Sequence, residues 1–437
     1  MATTYLTRTS GSPTLNTKYT LSFWVKRSKI TYSECFMFDG RVDASNRFKL
    51  AFDANDKLGC FNSHSGSDTI SFGTNRVFKD TSAWYNIILA VDTTQGTEAD
   101  RVKLYVNGVQ ETSFSSITYP SQDDANNVFN ENSSALIIGA YYNATNVFDG
   151  LMSYVAFVDG TAELPGIFGE TDSTTGEWKI KTTITPSVAW GNNGFLILKN
   201  GNSLTDESSN SNNWTLGAGA LTNTEDCPSN VFCTFNALNK SLTNLSLTNG
   251  NTTLSSTASG WYGSCGTLGF QKGFATYFEA KAKTIVYALT WGLSRIGEGT
   301  NGTPIINPPE NDSNYDYMIR PTTANTVYYR GADQSVTVPA ISAGDILSCL
   351  VSASGVVKFY INNVLIHTYS QVLEDNRFYF PVAGANGTGQ GWDFNFGNGY
   401  FGTTAVASQG TNTSGIGIFE YDVPSGTAAL STKGLNL

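Results

Sequence analysis

The stretch VKLYVNGV at residues 102–109 returns, lightly changed, as VKFYINNV at residues 357–364. Each copy reads as half of a β-hairpin. Apolar and polar side chains alternate from Val102 to Val106, and Asn107-Gly108 offers the two positive-φ positions of a tight type I′ turn. The second copy keeps the turn with Asn362-Asn363, because asparagine enters the left-handed region more readily than other residues with side chains. The flanks repeat too. An apolar strand precedes each copy, WYNIILAVD (84–92) and DILSCLVSA (345–353). LIIGAYYN (136–143) and FDGLMSYVAFVDG (148–160) follow the first copy, whereas FPVAGAN (380–386) and GWDFNFGNG (391–399) follow the second. The same order of strands written twice predicts two β-sandwich domains of similar topology.

Forty-three glycines, 13% aromatic and only 14% charged residues in 437 fit a turn-rich all-β protein, and no stretch carries helical periodicity beyond two turns. That excludes most nucleotide-binding α/β folds. A formal net charge of −10 opposes binding to nucleic acid or to an anionic membrane. MATTYLTRTS at the start has neither the basic nor the apolar part of a secretory signal, and no apolar run nears the roughly 18 residues of a membrane span. A soluble chain made in a cytoplasm is expected, with no membrane insertion. The six cysteines form no C-x-x-C pair and have no histidines beside them, which disfavours zinc; Cys227 and Cys233 could join in a disulfide, but a reduced pair is the expectation.

Along the chain, residues 1–165 form the first unit and 166–255 a polar connector rich in turn formers, with strands such as NGFLILK (193–199) expected to drape over a neighbouring sheet. Residues 256–403 form the second unit, and 404–437 an extended tail that docks elsewhere. The first unit resembles laminin-G or concanavalin A-like jelly rolls in Trp24 of FWVK, Trp84-Tyr85, YVNG (105–108), IIGA (137–140) and FDGLMSYVAF (148–157). The second resembles an SPRY domain in YFEAK (277–281), YALTWGLS (287–294), VKFYINN (357–363), FYFPVAG (378–384) and WDFNFGN (392–398). Both resemblances imply a two-sheet sandwich. The chain as a whole, with DGTAELPGIFGETDSTTGEW (159–178) and FEYDVPSGTAAL (419–430), resembles structural proteins of marine bacteriophages.

Chemistry is sparse. Two histidines, His64 and His367, and no G-x-S-x-G elbow leave little for a serine hydrolase. Sandwich glycanases need carboxylates alternating along one strand, and ETDSTTGE (170–177) has the wrong spacing in a turn-rich segment. GNGYFG (397–402) matches the dinucleotide fingerprint in letters but opens no helix. No cofactor is required; calcium is the candidate metal, since jelly-roll lectins often place it at a sandwich rim. Its candidate ligands are Asp39, Asp43 and Asn46, or Asp123, Asp124 and Asn126, although Asp and Asn are also common turn residues. DSNYD (312–316) opens like an EF-hand loop, but Tyr317 and Thr323 stand where glycine and glutamate belong. A sugar needs an aromatic face with amides or charged groups beside it. Tyr141, Tyr142 and Asn143 offer this, as do Tyr328, Tyr329 and Arg330, with Trp261-Tyr262 comparable.

The expected function is a non-enzymatic virion protein, a tail or capsid appendage on the particle exterior made in the host cytoplasm. Its partners would be other virion proteins, host-surface polysaccharide and further copies of itself. A capsid decoration protein of purely architectural role is the alternative, with the tail laying strands along a partner; a glycan-degrading enzyme ranks below both.

Overall fold

The structure is a computed structural model, and it describes residues 4–240, 244–295 and 315–436. The chain divides into two compact units, Met1–Asn223 and Thr224–Leu437. Among the described residues each is all-β and built from two facing sheets.

In the first unit an eight-stranded antiparallel sheet runs in the order Phe114–Thr118, Ser67–Val77, Lys57–His64, Arg47–Phe52, Cys35–Arg41, Ala135–Ile138, Tyr5–Thr9, Thr215–Ala218. It faces a six-stranded sheet ordered Phe195–Ile197, Gly150–Asp159, Lys18–Arg27, Trp84–Asp92, Val102–Val106, Val109–Glu111. Period-two alternation puts one face of each strand inside. Phe48, Leu50 and Phe52 join Leu21, Phe23, Val25, Ile87 and Leu89 in one core, all fully buried.

In the second unit the strands Phe235–Lys240, Trp261–Gly266, Phe380–Asn386, Ala288–Ser294, Tyr315–Arg320, Thr326–Tyr329 and Ala332–Thr337 form one sheet. The opposing sheet runs Leu245–Thr248, Thr253–Ser256, Gly391–Asn395, Thr276–Thr284, Ile346–Val351, Val356–Ile361, Val364–Val372. Trp291, Trp392, Phe278, Phe359 and Phe394 fill the space between them.

The repeated phrase is the same hairpin in both sandwiches. Asn107 and Gly108 have φ of 49° and 77°, and Asn362 and Asn363 have 46° and 65°. The first turn asparagine also extends the ladder. Asn107 donates its N–H to the Asn86 carbonyl (2.9 Å) while its Oδ1 accepts the Asn86 N–H (2.8 Å). Asn362 does the same to Ile346, at 2.7 and 2.9 Å. Glycine follows asparagine in the first copy because the Trp178 ring lies over the turn, 2.5 Å from where a Cβ on Gly108 would stand.

The polar stretch 166–255 is not a separate connector. Its first part completes the first unit, with Phe195–Ile197 as an edge strand beside Gly150–Asp159 and Thr215–Ala218 beside Tyr5–Thr9. NGFLILK therefore extends a sheet rather than draping over one. The draping is done by residues 160–190, whose Phe168, Ile167, Ile184 and Trp190 cover the outward Ile88, Tyr105 and Val158. From Thr224 the chain belongs to the second unit. The C-terminal segment docks on that same unit rather than elsewhere. Ala428–Ala429 pairs in parallel with Thr276–Tyr277, and Phe419 and Val423 pack on Tyr277 and Leu350. Buried Glu279 accepts the backbone N–H groups of Glu420 (2.9 Å) and Tyr421 (3.0 Å).

Candidate functional site

The outer face of the eight-stranded sheet carries the most distinctive chemistry. Residues directly opposite in an antiparallel ladder share a face, and the register lines up Ile137, Asp39, Lys49 and Phe61 across four strands. Arg41 and Arg47 stand opposite one another in an adjoining row. The strand sequences dictate this: in RFKLAF the core takes Phe48, Leu50 and Phe52, so Arg47, Lys49 and Ala51 must point outward.

Tyr141 and Tyr142 reach the same face from the loop after Ala135–Ile138, where Gly139 at φ 93° turns the chain out of the sheet. Tyr141 packs on Phe36 with ring centroids 4.7 Å apart, and Tyr142 meets Tyr141 edge-on at 4.8 Å. The Arg41 guanidinium lies 3.9 Å above the Tyr142 ring, which stays 45% exposed. Lys49 sits 5.8 Å from the Phe36 ring and 5.5 Å from that of Phe61, and Arg47 lies 5.7 Å from Phe61. Asn143 is exposed beside them and accepts from the Thr145 hydroxyl.

Asp39 lies in the middle of this face, 2% exposed, and its Oδ2 has no hydrogen-bond partner among the described residues. Burial pushes its carboxyl up to about 7, against the opposing pull of Arg41, Arg47 and Lys49. Nε of Arg47 is likewise buried and unpartnered. A stacking surface, guanidinium donors and a carboxyl with free capacity form the set that polar, ring-shaped ligands require.

The other aromatic candidates lie in the second unit. Tyr328 is 4% exposed among Cys265, Met318 and Val382, whereas Tyr329 is half-buried, packing on Tyr317 at 5.3 Å with the Arg330 guanidinium 5.2 Å from its ring. Arg330 and Arg295 converge on fully buried Asp316 and on Glu374. Trp261 lies under Arg320, 5.2 Å away.

The calcium candidates do not gather. Asp39 belongs to a strand among cations, not to a loop. Asp43 turns its carboxylate back on the N–H groups of Ser45 and Asn46. Asp124 does the same to Asn126, and Asp123 holds the turn with φ 60°. Among the described residues no three His, Cys, Asp or Glu side chains group as a metal site. Residues 312–314 of DSNYD lie outside the described residues. Sequence reasoning missed Phe36, Arg41, Arg47, Lys49 and Phe61. Their signal was the alternation of core and outward residues along Cys35–Arg41, Arg47–Phe52 and Lys57–His64.

A cleft of about 480 Å³ also opens beside Arg8, Gly11, Asn192 and Asn212. Its cation is already engaged, with Arg8 donating to the Asn193 carbonyl (3.3 Å) and to Asn212 Oδ1 (2.6 Å).

Comparison with known proteins bears on the first unit. Residues 1–164 match the family model described as the concanavalin A-like lectin/glucanases superfamily. The first unit is similar to that superfamily. No curated protein matches the chain. Among solved structures it is similar to the SPRY domain of human HERC1, at 14% identity over 37% of this chain and 96% of that one, with a TM-score of 0.30. It is also similar to domain 4 of AbnA, a GH43 extracellular arabinanase from Geobacillus stearothermophilus, in complex with arabinotriose (20% identity, 34% of this chain, 64% of that one, TM-score 0.26). The Emp46p carbohydrate recognition domain, in a single-residue variant, gives 11% identity, 36% of this chain, 86% of that one and a TM-score of 0.27.

Proposed function

We propose that this chain is a non-enzymatic carbohydrate-binding protein of a phage virion, and that the outer face of the eight-stranded sheet in its first unit holds the sugar. The observation that carries the reading is Tyr142, open on one side and backed by Arg41 at 3.9 Å, next to a buried Asp39 whose Oδ2 has no partner. Sugar C–H faces stack on such a ring while hydroxyls meet the charged groups beside it. The match of residues 1–164 to a superfamily of lectins and glucanases supports a glycan ligand. The virion placement rests on the likeness of the whole chain to phage structural proteins, and it brings other virion proteins and further copies of the chain as partners. Capsid decoration through the tail has less to stand on, because residues 419–430 are engaged by their own unit.

Glycan-array binding by the full chain, followed by calorimetry on the best ligand, tests this. Tyr142→Ala and Arg41→Gln should each weaken binding by about tenfold or more with unchanged melting temperatures, and chelator should leave binding intact. Absence of binding across the array, or release of reducing sugar from a bound glycan, overturns it. Gold-labelled antibody on phage particles tests the placement: label on tail or fibres is expected, and particles without label refute it.

A further inference from the structure

We infer that the sugar held by this face carries an anionic substituent, a carboxylate or a sulfate ester, seated between Arg41 and Arg47 beside Asp39. This deepens the glycan reading and rests on it.

The argument starts from an arrangement that is unfavourable without a ligand. Arg41 and Arg47 are Cα partners across two antiparallel strands, on the same face. Like charges directly opposite in a ladder destabilise the sheet. Neither guanidinium forms an ion pair among the described residues, and Nε of Arg47 is buried with its hydrogen unused. Arg41 lies over Tyr142 and Arg47 near Phe61, so each cation is placed beside an aromatic ring. Two guanidinium groups on one face suit an oxyanion with two or three equivalent oxygens better than a hydroxyl. The chain as a whole is at −10, so a cationic patch here is a local choice and not a consequence of composition.

Asp39 does not cancel the patch. Its Oδ2 accepts nothing, and its neighbours are Arg41 on its own strand, Lys49 opposite and Arg47 beside it on the next strand, and uncharged Ile137 on the other side. Lys49 is shared with Glu34 at 3.1 Å, through a pair that is open to solvent. When Asp39 is protonated it becomes a donor toward a ligand oxyanion, and when ionised it competes with the ligand for both arginines. A carboxyl titrating near 7 is about nine-tenths protonated at pH 6 and about one-tenth at pH 8. If only the protonated form accepts the anion, apparent affinity falls about tenfold between those values. Guanidinium groups keep their charge throughout.

Calorimetry of the full chain with tetragalacturonate, its methyl ester and a sulfated neutral oligosaccharide, at pH 6 and pH 8, tests the inference. At least one of the two anionic ligands should bind ten times or more tighter than the ester and about tenfold tighter again at pH 6 than at pH 8; the tighter of the two names the substituent. Arg47→Gln should erase the preference for the anion, Arg47→Lys should keep part of it, and Asp39→Asn should flatten the pH dependence. Tyr142→Ala should weaken ester and acid alike. Ester binding equal to or tighter than both anionic ligands, at a site lost in Tyr142→Ala, overturns the anionic ligand while leaving glycan binding in place. Failure of these ligands and of every array glycan overturns both.

Discussion

Replacing Asn107 by alanine removes two things at once. At φ 49° an alanine Cβ crowds the following carbonyl, a conformation that costs roughly 1–2 kcal/mol for ordinary residues and less for asparagine. The substitution also deletes the Oδ1 that accepts the N–H of Asn86, a residue with no solvent exposure. An unsatisfied buried donor costs about 1–3 kcal/mol, so the sum is about 2–5 kcal/mol. For a domain of this size each kcal/mol lowers the midpoint by roughly 2–4 °C, which predicts a fall of about 4–20 °C in the first unit alone. Asn362→Ala should do the same to the second unit, through φ 46° and the Ile346 N–H. Differential scanning calorimetry should show two transitions, each lowered by one variant. Asn107→Gly separates the contributions, since it relieves the backbone but not the lost acceptor, and Asn107→Asp keeps both and should stay within about 0.5 kcal/mol. Two variants that move the same transition, or an Asn107→Ala cost below about 0.5 kcal/mol, refute the reasoning.

In the buried pair between Arg27 and Asp56, 2.9 Å apart, Asp56→Asn should cost about 3–5 kcal/mol by leaving the guanidinium uncompensated, read from the denaturant midpoint of the first unit. Leu430→Ala should lower the second transition by about 2–5 kcal/mol, because this fully buried side chain belongs to that unit's core; no change would detach the C-terminal segment from it. Burial raises the Glu279 carboxyl to about 7 from an ordinary 4.5. Between those values the folded chain holds a proton that the unfolded chain has released, so stability of the second unit should fall as pH rises across that window, by at most about 1.4 kcal/mol per pH unit. Glu279→Gln should flatten that slope in melting curves, and an unchanged slope would assign it to another group.

The hairpins and most core strands were legible because apolar alternation and turn chemistry are local. Trp84–Asp92 and Phe380–Asn386 have the bounds their sequences suggest. Thr215–Ala218 was not legible, since a polar edge strand gains its place from Tyr5–Thr9 and not from its own residues. The Tyr141–Tyr142 pair stood out as aromatics leaving a strand for a loop. Asp39 was visible as an acid and was grouped with Asp43 and Asn46 as a calcium ligand, whereas the ladder to Lys49 places it on the sheet. Tyr328 and Tyr329 take opposite faces, as adjacent strand residues do: Tyr328 is buried on one, and Tyr329 packs on Tyr317 on the other.

The two units also share a way of closing themselves that no repeated phrase records. In each, the sheet that carries the repeated hairpin has its outer face covered by a later segment of the chain. Residues 160–190 do this in the first unit through Phe168 and Trp190, and the C-terminal segment does it in the second through Phe419 and Val423. The sequences of the two covers are unrelated, because each needs only to bury outward apolar side chains such as Ile88 or Leu350. The opposite sheet is then the one whose outer face can differ. In the second unit it carries Cys265, Met318, Tyr328 and Val382, all buried and apolar or aromatic. In the first it carries Asp39, Arg41, Arg47 and Lys49 among aromatic rings. A charged face without an apolar cover gains nothing in stability from its opposed arginines, and that is the observation behind the proposed ligand.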